Sequence, residues 1–507
     1  MLRPDDHPEL DKRHLSAADL EAQVARLNRG TVPLNILRPC HVEDGIVQLP
    51  SALFDAYRQA WSDVVNAGRV SKFIPASGAA TRMFQSLLQY LHDPTHPWAY
   101  VKDLETSLEQ FPFSLPLAQI LQQQGFHLET LRNCQNFVPL LEALLGPSGL
   151  NYGSFPKALL PFHRYPGEIR TALEEHVHDG IRLIRDRQGC MRCHVTVSPE
   201  HYDPVHRHLA MIQEQWAASG FTVEFSISIQ SSTTDTVALD SKGRLVRMET
   251  GALLFRPGGH GALLHNIQYS QGDIVLISNI DNVVPDYLKE PVLEWRRLLG
   301  GYFSILQSRL GSLLRSLFQA SSAELVLREC ETFLQQELGE PLPAFYDKWT
   351  SAGQTAFFQG YLNRPLRVCG MVQNTGDPGG GPFWVEDQSG ATSKQIVEQA
   401  QIDSHSPAQQ RLFSESTHFN PVDMVCGIRD FQGMSFDLSQ FTDPETAFVA
   451  HKSYQGQPIT VLEWPGLWNG GMAHWITVFV EIPRSMFNPV KTYRDWLHPH
   501  HQPPQPS

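Results

Sequence analysis

The 507-residue chain carries a formal net charge of −13, and 41% of its residues are hydrophobic and 18% charged. This composition is typical of a globular protein, and the negative charge argues against wholesale binding to nucleic acid or to an anionic membrane. No apolar run reaches the roughly 18 residues that would span a bilayer. The stretch MLRPDDHPELDKRHL lacks the apolar segment of a secretory signal, and seven scattered cysteines suit reduced thiols, so we expect a cytoplasmic protein.

The chain opens with two predicted helices. In LSAADLEAQVARLNRG, Ser16 is the predicted N-cap, Asp19 stands three residues on, and Gly30 ends the helix. A second helix is predicted over residues 50–68. We therefore assign residues 1–68 to a helical N-terminal arm.

The stretch KFIPASGAATRMF, residues 72–84, predicts a strand, a turn of small residues and a helix. Backbone N–H groups and a helix N-terminus in such a unit favour an anion, and Arg82 adds positive charge. Small side chains would let a triphosphate approach the backbone, although a turn formed only for packing has the same pattern. The candidate nucleotide-binding residues here are Ala76, Ser77, Gly78, Ala79, Ala80 and Thr81.

A second cation is predicted to be held in a fixed direction. In FPKALLPF, residues 155–162, Lys157 follows a proline, which restricts the backbone on both sides of it. Lys157 could therefore be aimed at a ligand, whereas the alternative is a surface lysine after a loop proline. The intervening residues, about 85–150, are Leu-rich and predict a helical insertion.

Strands and helices then alternate, which predicts an α/β layer fold with binding loops at strand ends. RCHVTVS and FTVEFSISIQ read as strands around the helix PVHRHLAMIQEQWAASG, and the near-continuous apolar run DIVLISNID predicts a strand buried in a parallel sheet. We assign residues 69–290 to a nucleotide-binding core.

The stretch CMRCH, residues 190–194, fits the pattern of covalent haem attachment. That chemistry needs export, for which the sequence gives no signal, and no second ligand pair is spaced to complete a zinc site. A strand is the better interpretation. Farther on, residues 291–365 predict a second helical insertion, residues 366–495 are strand-rich, and residues 496–507 predict a disordered tail.

The two stretches ASGAATRM and FPKALLPF together resemble the nucleotide-sugar pyrophosphorylases, which are sugar-1-phosphate nucleotidylyltransferases. Their usual opening is a strand, a Gly-rich loop ending in G-T-R-M or similar, and a P-K pair. Later stretches are similar to the UDP-sugar branch: SIQSSTTDTVALD, FRPGGHGALL, ISNIDNVVPD and IPRSMFNPVKTYRDWL. Including HFNPVD and PGLWNG, the pattern most resembles an uncharacterised bacterial family of domains of unknown function. The similarity spans roughly residues 70–495 as short blocks.

The resemblance implies that Gln230 reads the base and that the loop Gly259, His260 and Gly261 lies against base or sugar. A Gln amide can pair with both a donor and an acceptor on a pyrimidine edge, and flanking glycines allow close approach. A strand-end cap for Gln230 and a satisfied turn for His260 are the alternatives.

The resemblance also implies the sites for metal and sugar. Asp281 would hold Mg²⁺, Glu398 and Asn420 would bind the sugar, and Lys491 would reach the sugar phosphate. A carboxylate at the end of a buried strand is costly unless it is paired or metal-bound, and Mg²⁺ bridging phosphate oxygens would relieve that cost. Asp281 could instead cap the next segment.

Two departures from the family pattern affect these expectations. The loop keeps only Gly78 where the family has two or three glycines, and more than seventy residues separate Arg82 from Lys157 where the family has about ten. If an alanine of the loop had to adopt a positive φ, it would cost on the order of 1 kcal/mol.

The sequence therefore predicts an α/β fold with a three-layer mixed sheet of the nucleotide-diphospho-sugar transferase type. We expect a nucleotidylyltransferase that forms a nucleotide sugar from a nucleoside triphosphate, UTP by the resemblance, and a sugar 1-phosphate. Arg82 would act on the leaving phosphates and Lys157 and Lys491 on the reacting phosphates. The alternatives are a GT-A type glycosyltransferase and a catalytically inactive nucleotide or sugar-phosphate sensor. A serine hydrolase is poorly supported, because no G-x-S-x-G elbow is present.

Overall fold

A computed structural model describes residues 2–78, 80–93, 99–134, 136–270, 272–319, 323–377 and 379–504. The chain forms two compact units, each assembled from separate pieces of sequence. The first unit comprises Met1–Ser71, Gln230–Ile277 and Arg297–Arg484, and the second comprises Lys72–Ile229, Ser278–Arg296 and Ser485–Ser507. These discontinuous units cut across the consecutive segments that the sequence predicts.

The main strands of the first unit form a mixed sheet. In spatial order they are His41–Val42, Gly45–Val47, Ile476–Glu481, Leu366–Gln373, Met424–Gly427 and Ile274–Ile277. Leu366–Gln373 runs parallel to Ile476–Glu481 and antiparallel to Met424–Gly427. The prediction of an α/β protein with a mixed sheet is therefore confirmed.

The predicted strand DIVLISNID corresponds to Ile274–Ile277, all four residues of which are buried. Its partner Met424–Gly427 is antiparallel, with Ile274 opposite Gly427, so the expected parallel pairing is wrong for this neighbour. A continuous apolar run indicates that both faces of a strand are buried. It does not indicate whether the neighbouring strand is parallel or antiparallel.

Two smaller antiparallel sheets, and the short strand His418–Phe419 that pairs antiparallel with Leu366–Gln373, complete the strands of the first unit. One contains Asn35–Pro39, Gly381–Glu386 and Thr392–Val397, and the other contains Phe255–Arg256, Thr236–Asp240, Gln457–Glu463 and Phe448–Tyr454. The arm predicted as helical thus also supplies strands at Asn35–Pro39 and Gly45–Val47. These short segments lack a periodic pattern of their own, and they extend because distant strands provide their hydrogen-bond partners.

Helices of the first unit lie in both the arm and the later part of the chain. They are His7–Lys12, Ala17–Arg29, Phe54–Asn66, Leu264–Gln268, Ala323–Thr332, Ser351–Leu362 and Pro407–Ser414. The Ser16 hydroxyl accepts from the Asp19 N–H, which completes the predicted capping box. The long helix Asp286–Gln319 begins in the second unit and continues into the first.

The three longest strands of the second unit are parallel. Val70–Pro75, which enters this unit at Lys72, pairs with Cys190–Val197, and the latter pairs with Thr222–Ile229. The interpretation of CMRCH as a strand is therefore confirmed. Burial raises the pKa of the Cys193 thiol to about 12, so this cysteine is an unreactive core residue. The second unit also contains an antiparallel hairpin, formed by the strands Pro161–Tyr165 and Glu168–Thr171.

The helices of the second unit include a run between residues 85 and 145. They are Gln85–His92, Ala99–Thr106, Ser114–Gln123, Leu128–Cys134, Val138–Leu145, Ala172–Ile184 and Tyr202–Ala218. Across the described ranges of both units, none of the helices combines the length and the apolar content that crossing a membrane requires.

The tail predicted as disordered is folded from residue 496 to residue 504. Trp496 is fully buried, with its ring centroid 5.3 Å from that of Phe113 and 5.9 Å from that of Phe162. The Pro, His and Gln content of the tail predicts disorder, but one large indole buries enough apolar area to anchor it. Residues 505–507 lie outside the described part of the chain.

A buried ionic network links the elements of the second unit. The Lys289 ammonium lies 2.6 Å from Asp179 and 2.8 Å from Glu175, and Arg296 reaches Asp179 at 3.0 Å. The carboxylates are at most 3% exposed. Burial alone would raise the pKa of Glu175, but Lys289 and His163 hold it at about 2. The network is therefore ionised at neutral pH.

The network extends to the tail through two histidines. His163 Nδ1 lies 2.9 Å from Glu175 and its Nε2 lies 3.0 Å from His501 Nδ1. Since a carboxylate accepts only, His163 donates through Nδ1, and His501 donates from Nδ1 to His163 Nε2. Burial, aided by the neighbouring His163, lowers the pKa of His501 to about 3.

We expect the stability of the protein to fall on acidification because of His501. The unfolded chain binds a proton at His501 below a pH of about 6.5, whereas the folded chain does so only near pH 3, so stability falls as pH decreases through this window. In His501→Gln, the loss of unfolding free energy between pH 7 and pH 5 should be smaller by about 2 kcal/mol. Urea unfolding at both pH values measures this difference. An unchanged pH dependence would contradict the assignment.

Candidate functional site

The small-residue loop after strand Val70–Pro75 is held by backbone hydrogen bonds at both ends. Ala76 N–H donates to the Thr196 carbonyl at 2.9 Å, and Ala80 N–H donates to the Phe155 carbonyl at 3.0 Å. Between them, the N–H groups of Ser77 and Gly78 donate to no residue that the structure describes. Both groups are therefore available to an anion, and the nucleotide-binding role of the loop stays a prediction.

The reduced glycine content of the loop does not strain the described backbone. Gly78 has no positive φ, and a Cβ built there would meet no atom within 4 Å. Ala80 likewise has no positive φ, and the predicted Ala79 lies outside the described residues. A 3₁₀ turn, Ala80–Arg82, separates the loop from helix Gln85–His92, so the helix does not begin at the loop as predicted.

Lys157 is directed at Asp281, as a fixed cation would be. Pro156 is extended, with φ −70° and ψ 148°, and the Lys157 N–H donates to the Gly78 carbonyl at 3.3 Å. The ammonium lies 2.9 Å from Asp281 Oδ2 and 3.1 Å from the Val490 carbonyl, and the two charged side chains are 14% and 17% exposed. Three separate pieces of the chain therefore meet at Lys157.

The Asn282 side chain joins the segments that carry Asp281 and Val490. Asn282 donates to the Met486 carbonyl at 3.0 Å and accepts from the Asn488 N–H at 2.8 Å. The Val490 N–H in turn donates to the Asp281 carbonyl at 3.0 Å. Asp281 is thus held in place by its neighbours as well as by Lys157.

Lys491 and Arg82 are exposed cations of the second unit, and Lys491 adjoins this group, whereas the groove that Arg82 lines includes none of Lys157, Asp281 and Lys491. Lys491 directly follows Val490, and its ammonium lies 5.0 Å from the centre of the Phe487 ring. Arg82 lines an open groove of about 580 Å³ with Thr81 and Gln85, and no acid among the described residues pairs with it. Both side chains are free to meet phosphate groups without breaking an ion pair.

The predicted base-reading residues lie in the first unit. Gln230 donates to the Thr234 hydroxyl at 3.3 Å, which is a local contact at a strand end. Gly259 has a φ of +82°, and a Cβ on Gly261 would lie 1.9 Å from the Pro465 carbonyl oxygen. Glycine is therefore required at both positions, the first for its backbone angle and the second for close approach.

His260 is held by a loop that sequence reasoning did not assign. The Leu467 N–H donates to His260 Nδ1 at 3.1 Å, and the Trp468 ring stacks on the imidazole with centroids 4.5 Å apart. Burial lowers the pKa of His260, although the charges of Glu398 and Glu463 oppose this shift. His260 is therefore neutral with its proton on Nε2, which makes it a donor. The motif PGLWNG marks this loop in the sequence.

We expect NMR to find His260 in the Nε2–H tautomer at pH 7. Nitrogen chemical shifts of the imidazole should report an unprotonated, hydrogen-bonded Nδ1, because the Leu467 N–H is fixed against it. Trp468→Ala removes the stacking ring and should give a mixture of tautomers, while Trp349→Ala, which removes an indole that is 38% exposed, serves as a control for general loss of a tryptophan. An Nδ1–H signal in the unaltered protein would contradict this assignment.

The two predicted sugar-binding residues differ in whether their side chains could contact a ligand. Asn420 is 6% exposed, and its amide donates to the Gly370 carbonyl and accepts from the Val422 N–H, so it serves the backbone. Glu398 is half-buried, and its N–H donates to Gln401 at 2.9 Å. Only Glu398 offers a carboxylate to a ligand, and a sugar-binding role for either residue remains a prediction.

Asp281 is the carboxylate that the sequence predicts for the metal ion. Within the described residues, no three His, Cys, Asp or Glu side chains gather in a way that could hold one. Asp281 pairs with Lys157 through Oδ2, which leaves Oδ1 for a ligand. Mg²⁺ usually binds through one or two carboxylates together with substrate phosphates and water, so Asp281 fits this mode.

The structure thus defines an α/β protein with a mixed sheet and a lysine–aspartate pair beside a small-residue loop. Residues 4–502 match the model of a domain of unknown function, DUF4301. The chain belongs to this DUF4301 family. No curated protein matches the chain.

Several solved structures resemble the chain weakly. The UDP-N-acetylglucosamine pyrophosphorylase of Trypanosoma brucei has 13% identity and a TM-score of 0.47, with 90% of this chain and 69% of that chain covered. A UDP-glucose pyrophosphorylase variant of Leishmania major bound to UDP-glucose has 12% identity and a TM-score of 0.44, with coverages of 97% and 77%. A putative UDP-N-acetylglucosamine pyrophosphorylase of Entamoeba histolytica has 10% identity and a TM-score of 0.42, with coverages of 87% and 83%. Similarity at this level carries no conclusion about activity.

Proposed function

We propose that the protein is a sugar-1-phosphate nucleotidylyltransferase. An oxygen of the sugar 1-phosphate attacks the α-phosphorus of a nucleoside triphosphate, the bond to the bridging oxygen of the β-phosphate breaks, and pyrophosphate leaves. The products are a nucleotide sugar and pyrophosphate. UTP is the proposed nucleotide, because the segments around Gln230 and His260 resemble the UDP-sugar branch.

The observation that supports this proposal most directly is the contact between Lys157 and Asp281. The two groups lie 2.9 Å apart, and the backbone of the small-residue loop is hydrogen-bonded to the Lys157 N–H through Gly78. A fixed cation, a carboxylate and free backbone N–H groups are the parts that binding of a triphosphate requires.

The chemistry suits these groups because phosphoryl transfer depends mainly on positioning and charge neutralisation, with no need for a nucleophilic side chain. Lys157 would move from Asp281 to an oxygen of the reacting phosphates, and Lys491 would approach from the adjoining segment. Arg82 would stabilise the leaving phosphates. Mg²⁺, when held by Asp281 and phosphate oxygens, would neutralise further phosphate charge.

The test is pyrophosphate release by the full chain with UTP, MgCl₂ and a panel of sugar 1-phosphates. We expect release with at least one sugar 1-phosphate and none with UTP alone. If UTP raises the melting temperature without any release, the result would favour the inactive sensor. Release of UDP from a UDP-sugar would favour a glycosyltransferase. Absence of both binding and release with every nucleotide would overturn the proposal.

A further inference from the structure

The first unit contains a cavity of about 410 Å³ that includes none of the residues predicted from the sequence. Besides Asp273, its walls come from four parts of the chain: the residue before strand Val70–Pro75, the helix ending at Gln319, the turn after helix Ser351–Leu362, and residues 427–436. Each part contributes one arginine, and these are Arg69, Arg315, Arg364 and Arg429.

The arginines are only partly neutralised. Arg69 Nε lies 3.1 Å from Asp273 Oδ2 and Arg429 Nε lies 2.8 Å from Asp273 Oδ1, so two guanidinium groups share one carboxylate. Arg315 pairs with no acid in the described chain and reaches only the Ser312 hydroxyl, at 3.4 Å. Arg364 donates to the Tyr361 carbonyl, lies 3.9 Å from the centre of that ring, and interacts electrostatically with the buried Glu340.

The cavity therefore has an excess of positive charge. The acids that line it are Asp273 and Asp430, so its four arginines leave an excess of two positive charges in a chain whose net charge is −13. Asp430 turns one oxygen towards its own hairpin, where it accepts from the Gln432 and Met434 N–H groups. Such a concentration of guanidinium groups against the overall charge favours a bound anion.

The wall that carries Arg429 is rigid. Phe431 stacks on Phe318 with ring centroids 5.3 Å apart and an interplanar angle of 9°, which ties the hairpin to the long helix. A backbone bridge joins Arg429 to Ser435 across the hairpin. The cavity is consequently formed before any ligand binds, which lowers the entropic cost of binding.

We propose that this cavity binds a small phosphate-bearing anion. Its volume lies within the range of about 300–1,000 Å³ that is usual for small-molecule sites. Guanidinium groups recognise phosphate oxygens with paired hydrogen bonds, and a tetrahedral phosphate accepts them from several directions, whereas a carboxylate accepts them in one plane. Arginines from four different walls match the tetrahedral group. This site is independent of the proposed activity.

Calorimetric titration of the full chain with sodium tripolyphosphate tests the proposal. All proteins carry Lys157→Ala, which removes one cation of the other proposed phosphate site, and the buffer contains 0.15 M KCl, chosen to screen non-specific attraction beyond about 8 Å. We expect saturable binding that Arg315→Gln weakens at least tenfold. Arg328→Gln, which removes an exposed arginine outside the cavity, should change the affinity less than twofold.

Inorganic phosphate and citrate are titrated for comparison. Phosphate should compete with tripolyphosphate, and citrate should bind at least tenfold more weakly if the phosphate class is correct. Arg364→Gln is a second variant with the same expected loss, so a folding defect in one variant leaves the test intact. Absence of tripolyphosphate binding, unchanged affinity in both cavity variants, or equal binding of citrate would overturn the proposal.

Discussion

Lys157→Ala should lower pyrophosphate release by about 10²–10³-fold, the usual loss for one group that stabilises transition-state charge. The ammonium is held by Asp281 and by the Val490 carbonyl, so its position is fixed before substrate arrives. Alanine removes the charge and leaves the backbone of the segment intact. The loss should appear in kcat as well as in kcat/KM, because the interaction strengthens as the phosphate charge redistributes.

Lys12→Ala is a matched control for this measurement, because it removes a lysine whose side chain is 75% exposed. Its rate should equal that of the unaltered protein. Asp281→Ala should also slow the reaction, with a requirement for more Mg²⁺ if the carboxylate holds the ion. If Lys157→Ala kept full activity while melting normally, the phosphate-binding role would be wrong.

Lys289→Met should destabilise the protein by about 3–5 kcal/mol, the usual cost of removing one partner from a buried ion pair. Methionine preserves most of the side-chain volume, so the loss of stability measures the effect of removing the positive charge. Without Lys289, the carboxylates of Glu175 and Asp179 remain buried with fewer positive neighbours. Urea unfolding followed by tryptophan fluorescence measures the change.

Two further variants, one outside this network and one within it, separate charge from packing. Arg328→Ala breaks an exposed pair with Glu324 and should cost no more than about 1 kcal/mol. Adding Glu175→Gln to Lys289→Met should recover part of the loss, because it removes one of the two buried carboxylate charges that Lys289 neutralises. A loss below about 1 kcal/mol in Lys289→Met alone would show that the network contributes little.

The sequence was informative where short-range patterns determine structure. The capping box at Ser16 and the strand at Cys190–Val197 follow from hydrogen-bonding groups and from alternation within a few residues. The fixed direction of Lys157 could also be predicted, because the preceding proline restricts its backbone. Such local rules give the direction of a side chain but do not identify the group that it meets.

The remaining features depend on contacts that no local pattern specifies. The partners of Glu175 and Asp179 include Lys289, which is more than one hundred residues away in the sequence. The strand at Gly45–Val47 exists because Ile476–Glu481 pairs with it. Likewise, the composition of the tail predicts disorder, and only the aromatic cluster of the folded second unit explains why Trp496 is buried.

The assembly of the second unit from three pieces of sequence has a consequence for biosynthesis. Lys157 meets Asp281 and Val490 only after 124 and 333 further residues have been made. At about 5–20 residues per second, the ribosome takes roughly 15–70 s to deliver the last of these partners. During that interval the nascent chain holds an incomplete unit with an unmatched ammonium and exposed apolar surface. Chaperone binding to stalled nascent chains should therefore persist until residues beyond 490 have emerged.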